Sequence, residues 1–238
     1  MSAAATDPRT ARQRTSIAAL LAFVAGFVDT VGFIALFGLF TAHVTGNFVL
    51  IGAAIAGHHD GIVAKLLAFP VFVLAVAATR LAILACEKRR RDAVPVLLLA
   101  QAAFLLLFLA AAIAKAEDMR PDSAPVIAIG MLAVIAMAIQ NAGARTLFAA
   151  LAPTTVMTGN VTQVVIDLVD LAAGRPDQAE TRTRLARMWP PVATFTLGAL
   201  AGALSYAFIG FWGLVAPILG VLAILTLYCR TARNIIVP

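Results

Sequence analysis

Apolar runs long enough to cross a bilayer leave this chain few folds. A spanning helix needs about 20 predominantly apolar residues. Such runs recur at about 16–38, 62–84, 94–114, 124–148, 188–207 and 212–229. Two further segments, about 42–56 and 153–173, are also apolar but are broken by the same tripeptide. It is Thr45-Gly46-Asn47 in the first and Thr158-Gly159-Asn160 in the second. Thr and Asn are polar and Gly is a poor helix-interior residue, so a plain membrane anchor gains nothing from them. At 62% hydrophobic residues and a mean hydropathy of +0.96, no separate soluble domain fits.

The net charge of +6 does not point to nucleic acid. No zinc spacing, RNA-binding motif or Gly-rich phosphate loop accompanies it, and the long apolar segments exclude a soluble nucleic-acid protein. Basic residues collect in the cytoplasmic loops of membrane proteins. That rule also decides the topology. If all eight segments crossed with the N-terminus inside, the cluster EKRRRD (87–92) would lie outside. If the two motif segments enter and return on one side, six segments span. Fifteen Lys and Arg then fall at the cytoplasmic side, and only Lys65, Lys115 and Arg120 outside.

The expected fold is therefore an all-α membrane protein with six transmembrane helices and two re-entrant half-helical segments. A mobile basic cytoplasmic tail (1–15) precedes a first repeat (16–114) and a second (124–229). The tripeptides lie 113 residues apart, and Asp29 in GFVDTVGF faces Asn141 in AIQNAGAR at nearly that offset. Three spanning helices per half give the halves opposite orientation, an inverted 3+3 repeat. Aquaporin-like channels offer an architectural analogy only. The expected location is the bacterial inner membrane, with both termini cytoplasmic.

GFVDTVGFIALFGLFTAHVTGN, followed by QNAGARTLFAALAPTTVMTGNVTQ, resembles the YoaK-like family, the bacterial membrane proteins of the domain of unknown function numbered 1275. The resemblance covers nearly the whole chain after the tail. It implies a multipass inner-membrane protein and little about activity.

Several residues are candidates for chemistry. Asp29 lies mid-segment, where insertion scales charge about 2.5–3.5 kcal/mol for a carboxylate. Such residues bind an ion, carry a proton or pair with a cation; the bland alternative is a structural hydrogen bond to the broken backbone. Thr45, Gly46, Asn47, Thr158, Gly159 and Asn160 are expected to line a path. Their half-helix N-termini would present free N–H groups to an anion or polar solute. Asn141 and Arg145, four apart, share a helix face. Arg145 either anchors an anion, pairs with Asp29 or Asp167, or snorkels to the surface. Thr162 and Gln163 extend the second polar face. Asp167 and Asp170 read as a solvated helix end, and His43 as an ordinary interface histidine. His58, His59 and Asp60 lack metal-ligand spacing.

Pro70, Pro190 and Pro191 read as kinks or helix starts. Cys86 and Cys229 sit near the cytosol, where a disulfide does not form. The function expected is a transporter or channel for a small polar or anionic solute, without cofactor or metal. Its partners are the lipid bilayer and the solute, and a homo-oligomer is compatible with a bundle this small. The rivals are a structural or assembly subunit without a path, and an intramembrane enzyme. No HExxH, GxSxG or paired catalytic carboxylates support the enzyme.

Overall fold

The computed structural model describes residues 8–57, 60–155 and 157–230. His58 and His59 lie outside the described residues. Among those described, every regular element is helical. They are α1 (Pro8–Ala35), α2 (Gly46–Ile55), α3 (Ile62–Lys88), α4 (Ala93–Lys115), α5 (Ala124–Arg145), α6 (Met157–Ala172), α7 (Gln178–Ile209) and α8 (Val215–Arg230), with short 3-10 turns at Ala116–Asp118 and Gly210–Leu214. Among the described residues, five stretches are long and apolar enough to cross a membrane. They are Arg12–Ala35, Ile62–Lys88, Ala93–Asp118, Ala124–Arg145 and Gln178–Arg230, the last holding both α7 and α8.

Helix limits differ from the sequence expectation where polar residues continue a helix. The second half of the basic tail is helical, because α1 begins at Pro8, where a proline costs no intrahelical bond. The polar loop expected at 174–187 is helix from Gln178. Pro190 and Pro191 therefore lie inside α7 and do not start it. Thr194 Oγ1 donates to the Pro190 carbonyl there at 2.9 Å.

Both motif segments follow a helix that stops in the same way. After α1, Phe37 and Gly38 take left-handed conformations, and Gly38 N donates to Phe33 O at 2.9 Å. After α5, Phe148 N donates to Gly143 O at 2.9 Å. Each is a six-to-one closure that satisfies an orphan carbonyl at a helix end. The chain then runs without helix through 36–45 and 146–155 before α2 and α6 begin.

α1 and α5 form the centre. Of their most apolar windows, 67% is buried in each, against 28% in α3. α1 packs on α7 and α8, α5 packs on α3 and α4, and α4 meets α8. α2 lies on α3, and α6 on α7. Lipid is as apolar as leucine, so helices in a membrane are held by close contact more than by water exclusion. The α1–α7 crossing shows this. A Cβ on Gly26 would stand 2.2 Å from Phe195 O, and one on Gly198 2.2 Å from Phe23 O. The outer faces are apolar, with Phe208 82% exposed and Val49, Leu74 and Leu81 also outward. Such surface suits lipid.

Candidate functional site: the meeting of two chain breaks

Asp29 is buried on α1 and faces the first break. Its Oδ1 accepts from the backbone N–H of Thr41 (2.7 Å) and of Ala42 (2.7 Å), and from Thr41 Oγ1 (3.3 Å). Its Oδ2 lies 2.7 Å from His43 Nδ1. Backbone N–H groups without helical partners are thus satisfied by one carboxylate, which offsets the cost of its burial. The His43 ring lies near the backbone of Thr155 in the second break and stands edge-on to Phe195 of α7. Thr155 Oγ1 donates to Asn141 Oδ1 at 2.7 Å. Asn141 Nδ2 donates to Met137 O at 3.0 Å and reaches 3.5 Å from Ala42 O. Polar contacts therefore join both breaks through Asn141, which meets Ala42 of the first, itself bonded to Asp29, and Thr155 of the second.

Of each tripeptide, only the asparagine enters the interior. Asn47 and Asn160 are each 1% exposed. Asn47 Nδ2 donates to Phe40 O at 2.8 Å, and its Oδ1 accepts from Phe40 N at 2.9 Å. Asn160 Nδ2 donates to Pro153 O at 2.7 Å. Proline has no N–H, so the second clamp keeps one bond of the pair. Both span seven residues and hold the break against the following half-helix. Thr45 precedes α2 but makes no side-chain cap. Thr45, Thr158, Gly159 and Thr162 are exposed. Gly46 would crowd only the Phe40 side chain, and Gly159 has open space where its Cβ would be. Gly159→Ala, in the first turn of α6 with open space at its Cβ, is expected to leave the melting temperature unchanged or slightly raised. Asn47→Ala strands the Phe40 N–H and should cost about 1–3 kcal/mol in thermal unfolding.

Arg145 is exposed at the end of α5. It pairs with neither aspartate, because Asp29 is engaged by His43 and Asp167 by Arg184. Gln163 Nε2 donates to Asp167 Oδ1 at 2.8 Å. Asp167 is fully buried, not a solvated helix end. Arg184 grips it with Nε at 3.0 and 3.1 Å and Nη2 at 2.7 Å, a forked geometry that pins α6 to α7. The spacing Gln163…Asp167, one turn apart, with arginines in the next polar stretch, was the available signal. The roles of His43, Thr41 and Thr155 had weaker signals, since each lies in an irregular segment. A second buried link, Gln101 Nε2 to Gln140 Oε1 (2.7 Å) and Gln140 Nε2 to Leu21 O (2.8 Å), ties α4 and α5 to α1. Among the described residues no group of three metal-ligating side chains occurs, and both cysteines are free.

An all-helical bundle with several apolar spans, lipid-suited outer faces and a buried polar centre defines a polytopic integral membrane protein. The chain belongs to the family described as protein of unknown function (DUF1275), whose profile matches residues 17–228. It is similar to the UPF0700 transmembrane protein YoaK of Bacillus subtilis (strain 168), 31% identical over 159 residues, which is 66% of this chain and 68% of the relative. No solved structure matches.

Proposed function

We propose that this protein is a transporter or channel, not an enzyme, for a small polar or anionic solute that passes between two inverted halves. The observation that carries the reading is the Asp29–His43 pair at 2.7 Å. Two side chains able to exchange a proton stand where both backbones are broken. Non-helical backbone at membrane depth is tolerated where it is buried in protein or lines a water-filled cavity. Transporters of inverted-repeat design place their sites at such breaks.

Six spans, with α2 and α6 re-entrant, are supported by the packing pairs. Exchanging the halves turns α1–α7 into α5–α3, α1–α8 into α5–α4, and α2–α3 into α6–α7, while α4–α8 maps onto itself. The asparagine clamps obey the same exchange. The positive-inside rule puts both termini and the 87–92 cluster in the cytoplasm of a bacterial inner membrane. Single cysteines at Asp60, Arg89, Asp118 and Arg182, in a background lacking Cys86 and Cys229, test this. Positions 60 and 118 should label from outside, and 89 and 182 should be protected. Labelling of position 60 from the cytoplasm would make α2 a full span and remove the inverted repeat.

The second reading is a structural subunit without a path. It is favoured by how fully Asp29 and Asn47 are satisfied. Proteoliposomes holding a pH-sensitive dye separate the two. Transport predicts proton or solute flux that Asp29→Asn abolishes; flux that persists unchanged in the folded mutant removes the coupling role.

A further inference from the structure

α3 packs on α5 as α7 packs on α1, but the two crossings are built differently. Gly26, Gly198 and Gly202 let α7 approach the backbone of α1 closely. α3 has no glycine anywhere in Ile62–Lys88, so every one of its residues carries a Cβ. A groove of about 480 Å³ remains between α3, α4 and α5. Ala78 and Ala82 line it from α3, Val96 and Phe104 from α4, and Ile135 and Ile139 from α5. The one polar side chain in its wall is Thr79, whose Oγ1 donates to Ala75 O in its own helix at 2.7 Å. The wall therefore offers hydrocarbon and no free polar group.

Along α3 the lining runs from Val71 to Ala82, about 16 Å at the helical rise. That is about half of a ~30 Å hydrocarbon core, the depth of one leaflet. The chain itself marks one end of the groove. α3 ends at Lys88 and α4 starts at Ala93, so the loop between them joins two of the walls. From Ala82 to Lys88 the helix climbs about 9 Å. Beneath this end Ile83, Ala93, Leu97 and Ile139 are buried together. The end of α3 and the loop carry Lys88, Arg89, Arg90 and Arg91, all exposed. Among the described residues none of the four pairs with a carboxylate. Arg80 and Glu87 face each other at 3.5 Å, so each offsets the other. Asp92 is turned to the protein: Oδ1 accepts from Val94 N at 3.0 Å and Oδ2 from Tyr228 OH at 2.8 Å. Even against Asp92 the loop stays positive.

We propose that this groove seats an acyl chain of one anionic phospholipid from the adjoining leaflet, with its phosphate against Lys88, Arg89, Arg90 and Arg91. Each part of such a lipid meets its complement. The hydrocarbon lies in an apolar trough one leaflet deep, and the headgroup reaches cations at the trough's end. Basic residues beside a membrane attract anionic headgroups. A zwitterionic lipid with the same chains gains less, because its own cation meets the same loop. The site is separate from the Asp29–His43 pair and does not depend on the transport reading.

The test is thermal unfolding of the full chain in detergent, titrated with dioleoylphosphatidylglycerol or dioleoylphosphatidylcholine at constant ionic strength. Phosphatidylglycerol should raise the melting temperature saturably, as a ligand that binds only the folded state does, and phosphatidylcholine should not. Arg89→Gln combined with Arg91→Gln should weaken the apparent affinity about tenfold or more. Ala78 is exposed in the groove, so Ala78→Leu fills it without a clash. That variant should keep the lipid-free melting temperature and lose the saturable shift. Arg175→Gln combined with Arg182→Gln, in the other basic stretch, should leave the shift intact. If Ala78→Leu does not fold, Ala82→Leu and native mass spectrometry of the unaltered chain carry the test. One phosphatidylglycerol per chain should then survive activation that strips phosphatidylcholine. No shift, or equal shifts with both lipids, overturns the proposal. So does a phosphatidylglycerol shift that survives filling of the groove, which would leave surface charge alone as its cause. A dimer that Ala78→Leu turns into a monomer, with no lipid shift, assigns the groove to a second copy of the chain and overturns the proposal as well.

Discussion

Asp29→Ala is expected to prevent stable folding, whereas Asp29→Asn folds and loses proton-coupled flux. The difference lies in what each leaves behind. Alanine strands the N–H groups of Thr41 and Ala42 and the ring of His43, all of which Asp29 now engages. Each buried unsatisfied group costs about 1–3 kcal/mol, so the loss reaches about 3–6 kcal/mol, comparable to the whole stability of many domains. Asparagine retains one carbonyl oxygen at the position of Oδ1 and keeps the backbone bonds. It gives up the charge-assisted contact with His43, worth about 1.5–3 kcal/mol, and it cannot titrate. Thermal unfolding in detergent and dye-reported flux in liposomes read the two effects separately. If both variants lose only stability, and the folded fraction of Asp29→Asn keeps full flux, the carboxylate is a structural clamp.

The second large effect is expected at the α1–α7 crossing. Gly26→Ala and Gly198→Ala each place a methyl 2.2 Å from a backbone carbonyl of the facing helix. A backbone atom cannot rotate aside as a side chain can, so the helices must separate. Overpacking of this kind costs about 3 kcal/mol, and it also loosens the seat of His43, whose ring packs against Phe195 on the same stretch of α7. A Cβ on Gly202 would stand 2.7 Å from Phe27 O, so Gly202→Ala should follow with a smaller loss. Gly52→Ala is the control. It lies in α2 with nothing near its Cβ, so alanine should stabilise by about 0.5–1 kcal/mol. Equal melting temperatures for Gly198→Ala and the native chain would mean that the crossing is looser than these distances imply.

What could be read from residues alone follows a physical pattern. Membrane crossing was legible because a spanning helix requires about 20 consecutive apolar residues, whatever its neighbours do. The tripeptides were legible as interruptions because polar residues and glycine break that run, but the non-helical chain lies just ahead of them, and Gly46, Asn47 and 158–160 already belong to α2 and α6. The roles within the tripeptides were not legible. The sequence expectation gave Thr45, Gly46, Thr158 and Gly159 the same standing as Asn47 and Asn160, whereas only the asparagines point inward. Which of three adjacent residues faces the interior depends on the angle at which a half-helix leaves its break. Asp167 shows the same limit. Its placement near a polar stretch suggested solvent, but α7 starts at Gln178 and brings Arg184 onto it.

The amino-acid sequence by itself determined that this chain is an all-helical membrane protein, near which residues its backbone breaks, and that the breaks recur. Those properties follow from local hydropathy and from single residues acting on their own stretch of chain. Tertiary structure alone decided that Asp29 engages Thr41, Ala42 and His43, that Asn141 joins the two breaks through Ala42 and Thr155, and that the buried Thr154 hydroxyl is left without a partner among the described residues. Those contacts join residues 12 to 14 apart across the end of a helix or pass between the halves. Their geometry is set by how closely α1 and α7 approach through Gly26 and Gly198, a distance that no local pattern encodes.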